Sequence, residues 1–314
     1  MKAGRPTGRR VTAKHLASHG DSDYLCKNMD SHDITVGAFA RQLEQSLSPR
    51  YGTGEARAMV RLMFHALKGW DLTAITINSD RPVSSWLREK AEEVVGRLLM
   101  GDPLQYILGE ARFYGMDLKV SPDVLIPRHE TEELVDIIVD ENKDPDLRVL
   151  DVGTGSGAIA IALSRNLPFS HVTALDISQR ALDVAESNAA RLHADVTFVH
   201  ADIFSYSPAD GSFDIIVSNP PYIAESERKD MDSNVLDYEP ASALFVPDSD
   251  PLIYYSRIST IGEKALRSGG RLYFEINPLF ADKLRSLLVA DGYSDVRIIQ
   301  DISRRSRFAA AVKP

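Results

Sequence analysis

Four consecutive residues, Asn219-Pro220-Pro221-Tyr222, have the types and spacing to do chemistry. They follow Phe213-Asp214-Ile215-Ile216-Val217-Ser218, which reads as a buried strand. Two prolines remove two backbone donors and fix two φ angles, so a central strand cannot continue through them. Asn219 precedes a proline and is driven toward an extended conformation. A stiff loop results, holding a carboxamide and an aromatic ring where open α/β sheets bind ligands, at a strand's carboxyl end. Such a set suits methyl transfer to a planar amide or exocyclic amine nitrogen, whose delocalised lone pair makes it a poor nucleophile. The Asn219 oxygen can accept one N–H and the Pro220 carbonyl another. Two acceptors already in place favour the transition state, in which that nitrogen turns positive. Tyr222 offers a face for stacking a flat group. Read alone, Asn-Pro-Pro is also an ordinary turn.

A second motif gives the first a context. Arg148-Val149-Leu150-Asp151-Val152 reads as a strand, Gly153-Thr154-Gly155-Ser156-Gly157 as a loop and Ala158 to Leu163 as a helix. Strand, glycine loop and helix open a nucleotide-binding βαβ unit. Glycines let a ligand approach the backbone, and the helix N-terminal amides face that ligand. The pattern also satisfies the dinucleotide form G-x-G-x-x-G/A. A second strand, His171 to Asp176, ends in an acid placed for ribose hydroxyls in either case. Asp151, two residues before the first glycine, favours S-adenosylmethionine over NAD, because it gives a D-x-G-x-G-x-G form that resembles class I methyltransferases. So does a third strand, Val196 to His200, followed by Asp202 and Ile203, which suit an adenine amino group and ring.

Several linked segments carry a family resemblance. Pro103-Leu104-Gln105-Tyr106-Ile107-Leu108-Gly109, Phe113-Tyr114-Gly115, Val124 to Glu132 with its Ile-Pro-Arg-x-Glu-Thr core, Asp151 to Ala160, Asn219 to Ile223 and Leu272 to Ile276 together resemble the HemK/PrmC protein-(glutamine-N5) methyltransferases. The resemblance covers roughly Ile34 to Val312. It implies a class I (Rossmann-like) methyltransferase sheet with a small N-terminal helical domain. It also implies S-adenosylmethionine as methyl donor and, as substrate, the glutamine of the Gly-Gly-Gln motif of peptide chain release factors. On that reading Asn219, Pro220 and Tyr222 are catalytic, and Asn219, Pro220, Pro221 and Tyr222 contact substrate. Gly153, Thr154, Gly155, Ser156, Gly157, Asp176, Asp202, Ile203 and Asn219 contact the cofactor. No strong base is needed before transfer, because the sulfonium leaves as a neutral thioether. Arg128, Glu130 and Thr131 either line the site or support it. Three positions depart from the family pattern: His129 replaces a usual proline, Asn277 a common glycine, and the segment Asp301 to Phe308 lacks a usual glycine.

Other readings share some of these residues. A ribosomal-protein glutamine methyltransferase would use identical chemistry. A nucleic-acid adenine-N6 methyltransferase would reuse Asn-Pro-Pro-Tyr around a flipped base, but a formal charge of −9 and the lack of a basic recognition domain oppose it. A NAD-dependent oxidoreductase gives Asn-Pro-Pro-Tyr no task. A binding module without activity would not need the glycine loop, the acids and Asn219 together.

These motifs need elements to position them. The chain has 314 residues, 44% hydrophobic and 26% charged, which suits a two-domain globular protein. Residues 1–30 are polar and basic, without a secretory h-region, and are expected to be a disordered extension. Residues 31–100 carry three helical stripes: Val36, Phe39, Ala40, Leu43 and Leu47; Ala56, Val60, Met63, Phe64 and Leu67; Leu87, Ala91, Val94, Val95 and Leu98. Ser48-Pro49 and Arg81-Pro82 are expected to break them. By the resemblance this helical domain recognises the substrate. Residues 101–127 read as a hairpin connector, and 128–314 as the catalytic domain, with alternating strands and helices that imply a doubly wound sheet. Near its end, Leu252 to Leu266 reads as a helix, Arg271 to Ile276 as a strand, Leu279 to Leu288 as a helix, and Val296 to Ile299 with Phe308 to Val312 as an antiparallel pair. Ala224 to Asp230 reads as a mobile substrate loop or a solvated one. One cysteine, Cys26, excludes an intrachain disulfide and fits a cytoplasmic protein. No metal spacing, membrane span or direct nucleic-acid partner is expected.

Overall fold

Caps and periodic apolar positions set the helices. In the computed structural model, which describes residues 34–231 and 233–314, the side chain of Thr35 accepts from Ala38 N–H and opens α1 (Val36–Tyr51). α2 (Thr53–Lys68) ends at Gly69 in the left-handed region. Asp71 caps α3 (Leu72–Ile77) and Ser84 caps α4 (Ser85–Met100), which ends at Gly101. The three expected stripes form one core, with Leu67 at its edge. The extension expected over residues 1–30 lies outside the described residues.

Two features of this region differ from expectation. Pro49 lies inside α1 and does not break it. It falls in the last turn, and both Pro49 and Gln45, the residue whose carbonyl it leaves without a helical donor, are exposed. The segment from 101 also begins with a helix, α5 (Leu104–Leu108), entered from Pro103 and stopped by Gly109 at φ 75°. Leu104 joins the helical core, so that core reaches past Met100. The hairpin follows: β1 (Glu110–Phe113) pairs antiparallel with β2 (Met116–Lys119) across Tyr114-Gly115, both at positive φ.

The rest alternates. α6 (His129–Glu141) leads to β3 (Arg148–Val152), α7 (Ala158–Asn166), β4 (His171–Asp176), α8 (Gln179–Leu192), β5 (Val196–His200) and β6 (Phe213–Ser218). A short excursion holds β7 (Ile223–Ala224), α9 (Ser233–Tyr238) and β8 (Phe245–Val246). Then come α10 (Ile253–Ala265), β9 (Leu266–Glu275), α11 (Ala281–Ala290), β10 (Ser294–Gln300) and β11 (Ser306–Val312). β9 starts five residues before the expected Arg271, because Leu266 already pairs with Phe213 ahead of a register shift.

Seven strands form one sheet in the order β5-β4-β3-β6-β9-β11-β10. The first five are parallel, and β11 and β10 close the sheet antiparallel. Alternate residues bury on opposite faces: Val149, Ile215, Val217 and Tyr273 on one, Leu150, Ile216, Leu272 and Phe274 on the other. This is the expected Rossmann-like, doubly wound arrangement. The strand order reverses between β3 and β6, and ligands bind in the crevice such a reversal opens. No helix among the described residues is long and apolar enough to cross a membrane.

Candidate active site

The two chemical motifs leave adjacent strands at that reversal. Val152 ends β3 and Ser218 ends β6, in register with each other, and the Ser218 hydroxyl donates to the Val152 carbonyl at 2.7 Å. Ser218 is also in register with Phe274 of β9, so the next residues along these strands, Asn219 and Glu275, emerge side by side.

A cavity of about 580 Å³ opens here, within the roughly 300–1,000 Å³ of small-molecule sites. Gly153, Thr154, Gly155 and Ser156 line one side, Asp176, Asp202 and Ile203 another, and Asn219, Pro220 and Pro221 the end. Gly153 and Gly155 have φ of 73° and 56°, and a Cβ on either would meet no heavy atom within 4 Å. They leave an open cradle that side chains would fill, which fits a ligand lying against the backbone. Two of the expected residues stand apart. Gly157 does not line the cavity; a Cβ there would sit 3.0 Å from Ile161 Cδ1 and 3.1 Å from Ala185 Cβ, so its task is the close approach of α7 to α8. Tyr222 does not line it either: its hydroxyl donates to Glu275 Oε1 at 3.2 Å and its ring packs beside the core under β9.

Carboxylates organise the loops. Asp176 accepts Gly155 N–H at one oxygen and Ser178 N–H at the other, both at 2.9 Å, so it shapes the glycine loop besides lining the cavity. Asp202 accepts Phe204 N–H at 2.9 Å, turning the chain so that Ile203 meets the cavity. Arg257 of α10 donates to the carbonyls of Ile203 and Tyr206, each at 2.9 Å, and so holds this loop from behind. Asp151 is fully buried; one oxygen accepts from Thr154 Oγ1 at 2.7 Å and Ala160 N–H at 3.2 Å, and the other has no partner. Burial pushes its pKa up from 3.8 to about 7, against these two hydrogen bonds.

The end of the cavity around Asn219 is built from three elements. Thr131, in the first turn of α6, donates to Glu275 Oε2 at 2.6 Å. Asn219 Nδ2 donates to Thr131 Oγ1 at 3.3 Å. Glu275 is 1% exposed, and burial raises its pKa while Thr131, Tyr222 and the nearby Arg307 lower it. A wall of the cavity is pinned by Arg128, which pairs with Glu239 at 2.6 Å, while Glu239 also accepts Ile126 N–H at 3.2 Å. The segment after Tyr222 carries hydrogen bonds that tie it to the turn following β9. Glu227 accepts Ala224 N–H at 2.8 Å, and Asn277 Nδ2 donates to Glu227 Oε1 at 2.9 Å and to the Tyr222 carbonyl at 3.1 Å.

Sequence does not single out Glu275, Glu239, Arg257 and Asn277 as site residues. The Leu272 to Ile276 segment is a signal for Glu275. Arg257 had none, since a helix arginine aimed at carbonyls of a distant loop looks like any surface arginine. Among the described residues no three His, Cys, Asp or Glu side chains are grouped to hold a metal ion.

Comparison with known proteins covers most of the chain. A family described as "PrmC N-terminal domain" matches residues 40–109, and one described as "Methyltransferase small domain" matches residues 131–237. A release factor glutamine methyltransferase of Bacteroides thetaiotaomicron is 46% identical over 270 residues, which are 86% of this chain and 97% of that protein. Proteins of the same name from Flavobacterium psychrophilum and Streptococcus pneumoniae are 38% and 42% identical over 87% and 71% of this chain, and 98% and 79% of their own lengths.

Proposed function

The chain belongs to the family of release factor glutamine methyltransferases, which use S-adenosylmethionine, and we propose that it methylates the side-chain amide nitrogen of the glutamine in the Gly-Gly-Gln motif of peptide chain release factors at the Asn219 end of the cavity. When bound, S-adenosylmethionine supplies an electrophilic methyl carbon on a sulfonium. The open cradle at Gly153 and Gly155 would hold the cofactor against the backbone, Asp176 would accept from its ribose hydroxyls, and Asp202 with Ile203 would meet its adenine. Asn219 Oδ1 and the Pro220 carbonyl accept the two N–H groups of the substrate amide. They direct its nitrogen at the methyl carbon and stabilise the positive charge that grows as the N–C bond forms and the C–S bond breaks. Neither Asn219 nor Pro220 need take a proton before transfer, because the leaving group would be a neutral thioether and the extra proton would be lost from nitrogen afterwards. A translation factor as substrate supports a cytoplasmic site of action.

The observation that carries this reading is the register of β3, β6 and β9, which sets Asn219 beside the glycine-loop strand at one cavity. The test is methyl-labelled S-adenosylmethionine with a release factor, beside a copy whose Gly-Gly-Gln glutamine is alanine. Label on the first alone is expected. Label on neither, with S-adenosylmethionine still bound, moves the substrate to a ribosomal protein or a nucleic acid.

A further inference from the structure

We propose that Thr131 and Glu275 are positioning residues that decide which end of the Asn219 carboxamide faces the substrate. The inference rests on the assignment of Asn219 Oδ1 as an acceptor of the substrate amide. A carboxamide is nearly symmetric in shape, so packing alone does not distinguish its oxygen from its nitrogen. Hydrogen-bond polarity does.

The polarity runs outward from Glu275. Its carboxylate is 1% exposed and accepts from Thr131 Oγ1 at 2.6 Å and from Tyr222 at 3.2 Å. A threonine hydroxyl has one proton, and here it is given to Glu275. Thr131 Oγ1 can then only accept from its other neighbour, which is the Asn219 amide nitrogen at 3.3 Å. With Nδ2 held by Thr131, Asn219 Oδ1 is the end left for the cavity that Asn219 lines. A flipped carboxamide would present N–H donors to a substrate nitrogen that is itself a donor. The arrangement gives Glu275 a reason to be there, since a buried carboxylate is costly unless every oxygen is engaged. It also explains why Asn219 and Tyr222 belong to one motif: both terminate on this carboxylate, Tyr222 directly and Asn219 through Thr131.

Thr131→Val removes the hydroxyl at nearly constant volume. Thr131→Ser keeps it. Glu275→Gln can donate to Thr131 and so permits the reverse polarity. With the release factor as methyl acceptor, Thr131→Val and Glu275→Gln are expected to lower kcat on the order of 10- to 100-fold, the scale of misplacing a reacting group, with S-adenosylmethionine affinity unchanged and Thr131→Ser close to wild type. Equal loss in Thr131→Ser, or full activity in Thr131→Val, overturns the proposal. A second readout does not depend on turnover: the Asn219 side-chain amide resonances, identified by their loss in Asn219→Ala. One Nδ2 proton is expected to exchange slowly in wild type and fast in Thr131→Val. Identical exchange in the two overturns the positioning role whatever the substrate is. Absence of label on the release factor with wild-type enzyme overturns the substrate assignment, and the amide exchange then decides the positioning role by itself.

Discussion

The Ser218 hydroxyl donates to the Val152 carbonyl at 2.7 Å, and this bond joins the residue before Asn-Pro-Pro-Tyr to the residue before the glycine loop. Both residues are buried. Ser218→Ala therefore leaves a buried carbonyl short of a donor, at a cost of roughly 1–3 kcal/mol. A lowered denaturation midpoint together with lowered kcat is expected. An unchanged midpoint would show that the two loops are held together by the strands alone.

Asn219→Ala removes the proposed amide acceptor but none of the glycine loop. Methyl transfer should fall on the order of 10²- to 10³-fold, as when one preorganised polar group is lost from a reaction site. Cofactor affinity, read by calorimetric titration, should be nearly kept. Retained turnover would refute the role of Asn219.

Asp176→Ala acts on the cofactor in two ways. It removes the proposed ribose acceptor, and it frees Gly155 N–H and Ser178 N–H from the bonds that shape the loop. Losing a charged hydrogen bond of this kind weakens binding by roughly 10- to 100-fold. Asp176→Asn keeps the side-chain oxygen and should recover part of that loss. Equal cofactor affinity in wild type and Asp176→Ala would count against both functions.

Asp151 makes stability depend on pH in an unusual direction. Its folded pKa lies above the unfolded one, at about 7 against 3.8. The folded state holds a proton that the unfolded state releases, so the stabilisation is complete below the lower value and is lost as pH rises to the upper one. Asp151→Asn mimics the neutral form and should flatten this fall in the cofactor-free protein. Melting temperatures of both forms between pH 4 and about 8, spanning that window, test it. A wild-type slope that survives in Asp151→Asn would place its origin in other groups.

Asn277 stands where the resembled family commonly has glycine, and it bridges the Tyr222 carbonyl to Glu227. Asn277→Gly should cost about 1–2 kcal/mol from these bonds and added backbone freedom. Amide hydrogen exchange over residues 224–230 should rise, and KM for the protein substrate with it, while cofactor affinity stays. Unaltered exchange in that segment would mean that Glu227 and Asp248, which accepts Ser226 N–H at 3.0 Å, hold it without Asn277.

Sequence alone was enough for whatever repeats locally or is covalently adjacent. The helical stripes, the β3 to β5 alternation and the closing antiparallel pair follow from apolar periodicity, which the backbone geometry of each element imposes residue by residue. The glycine loop and Asn-Pro-Pro-Tyr were legible because contiguous residues carry their chemistry. Tertiary structure decided what depends on contacts between residues far apart in the chain. Tyr222 reads as a stacking face, yet its hydroxyl turns to Glu275, 53 positions later. Thr131 comes within reach of Asn219, 88 positions away, only because α6 packs on β9, whose neighbour in the sheet is β6. Pattern along a chain records which face is buried; it does not record hydrogen-bond partners or their polarity, which strand order and register set once the sheet has closed.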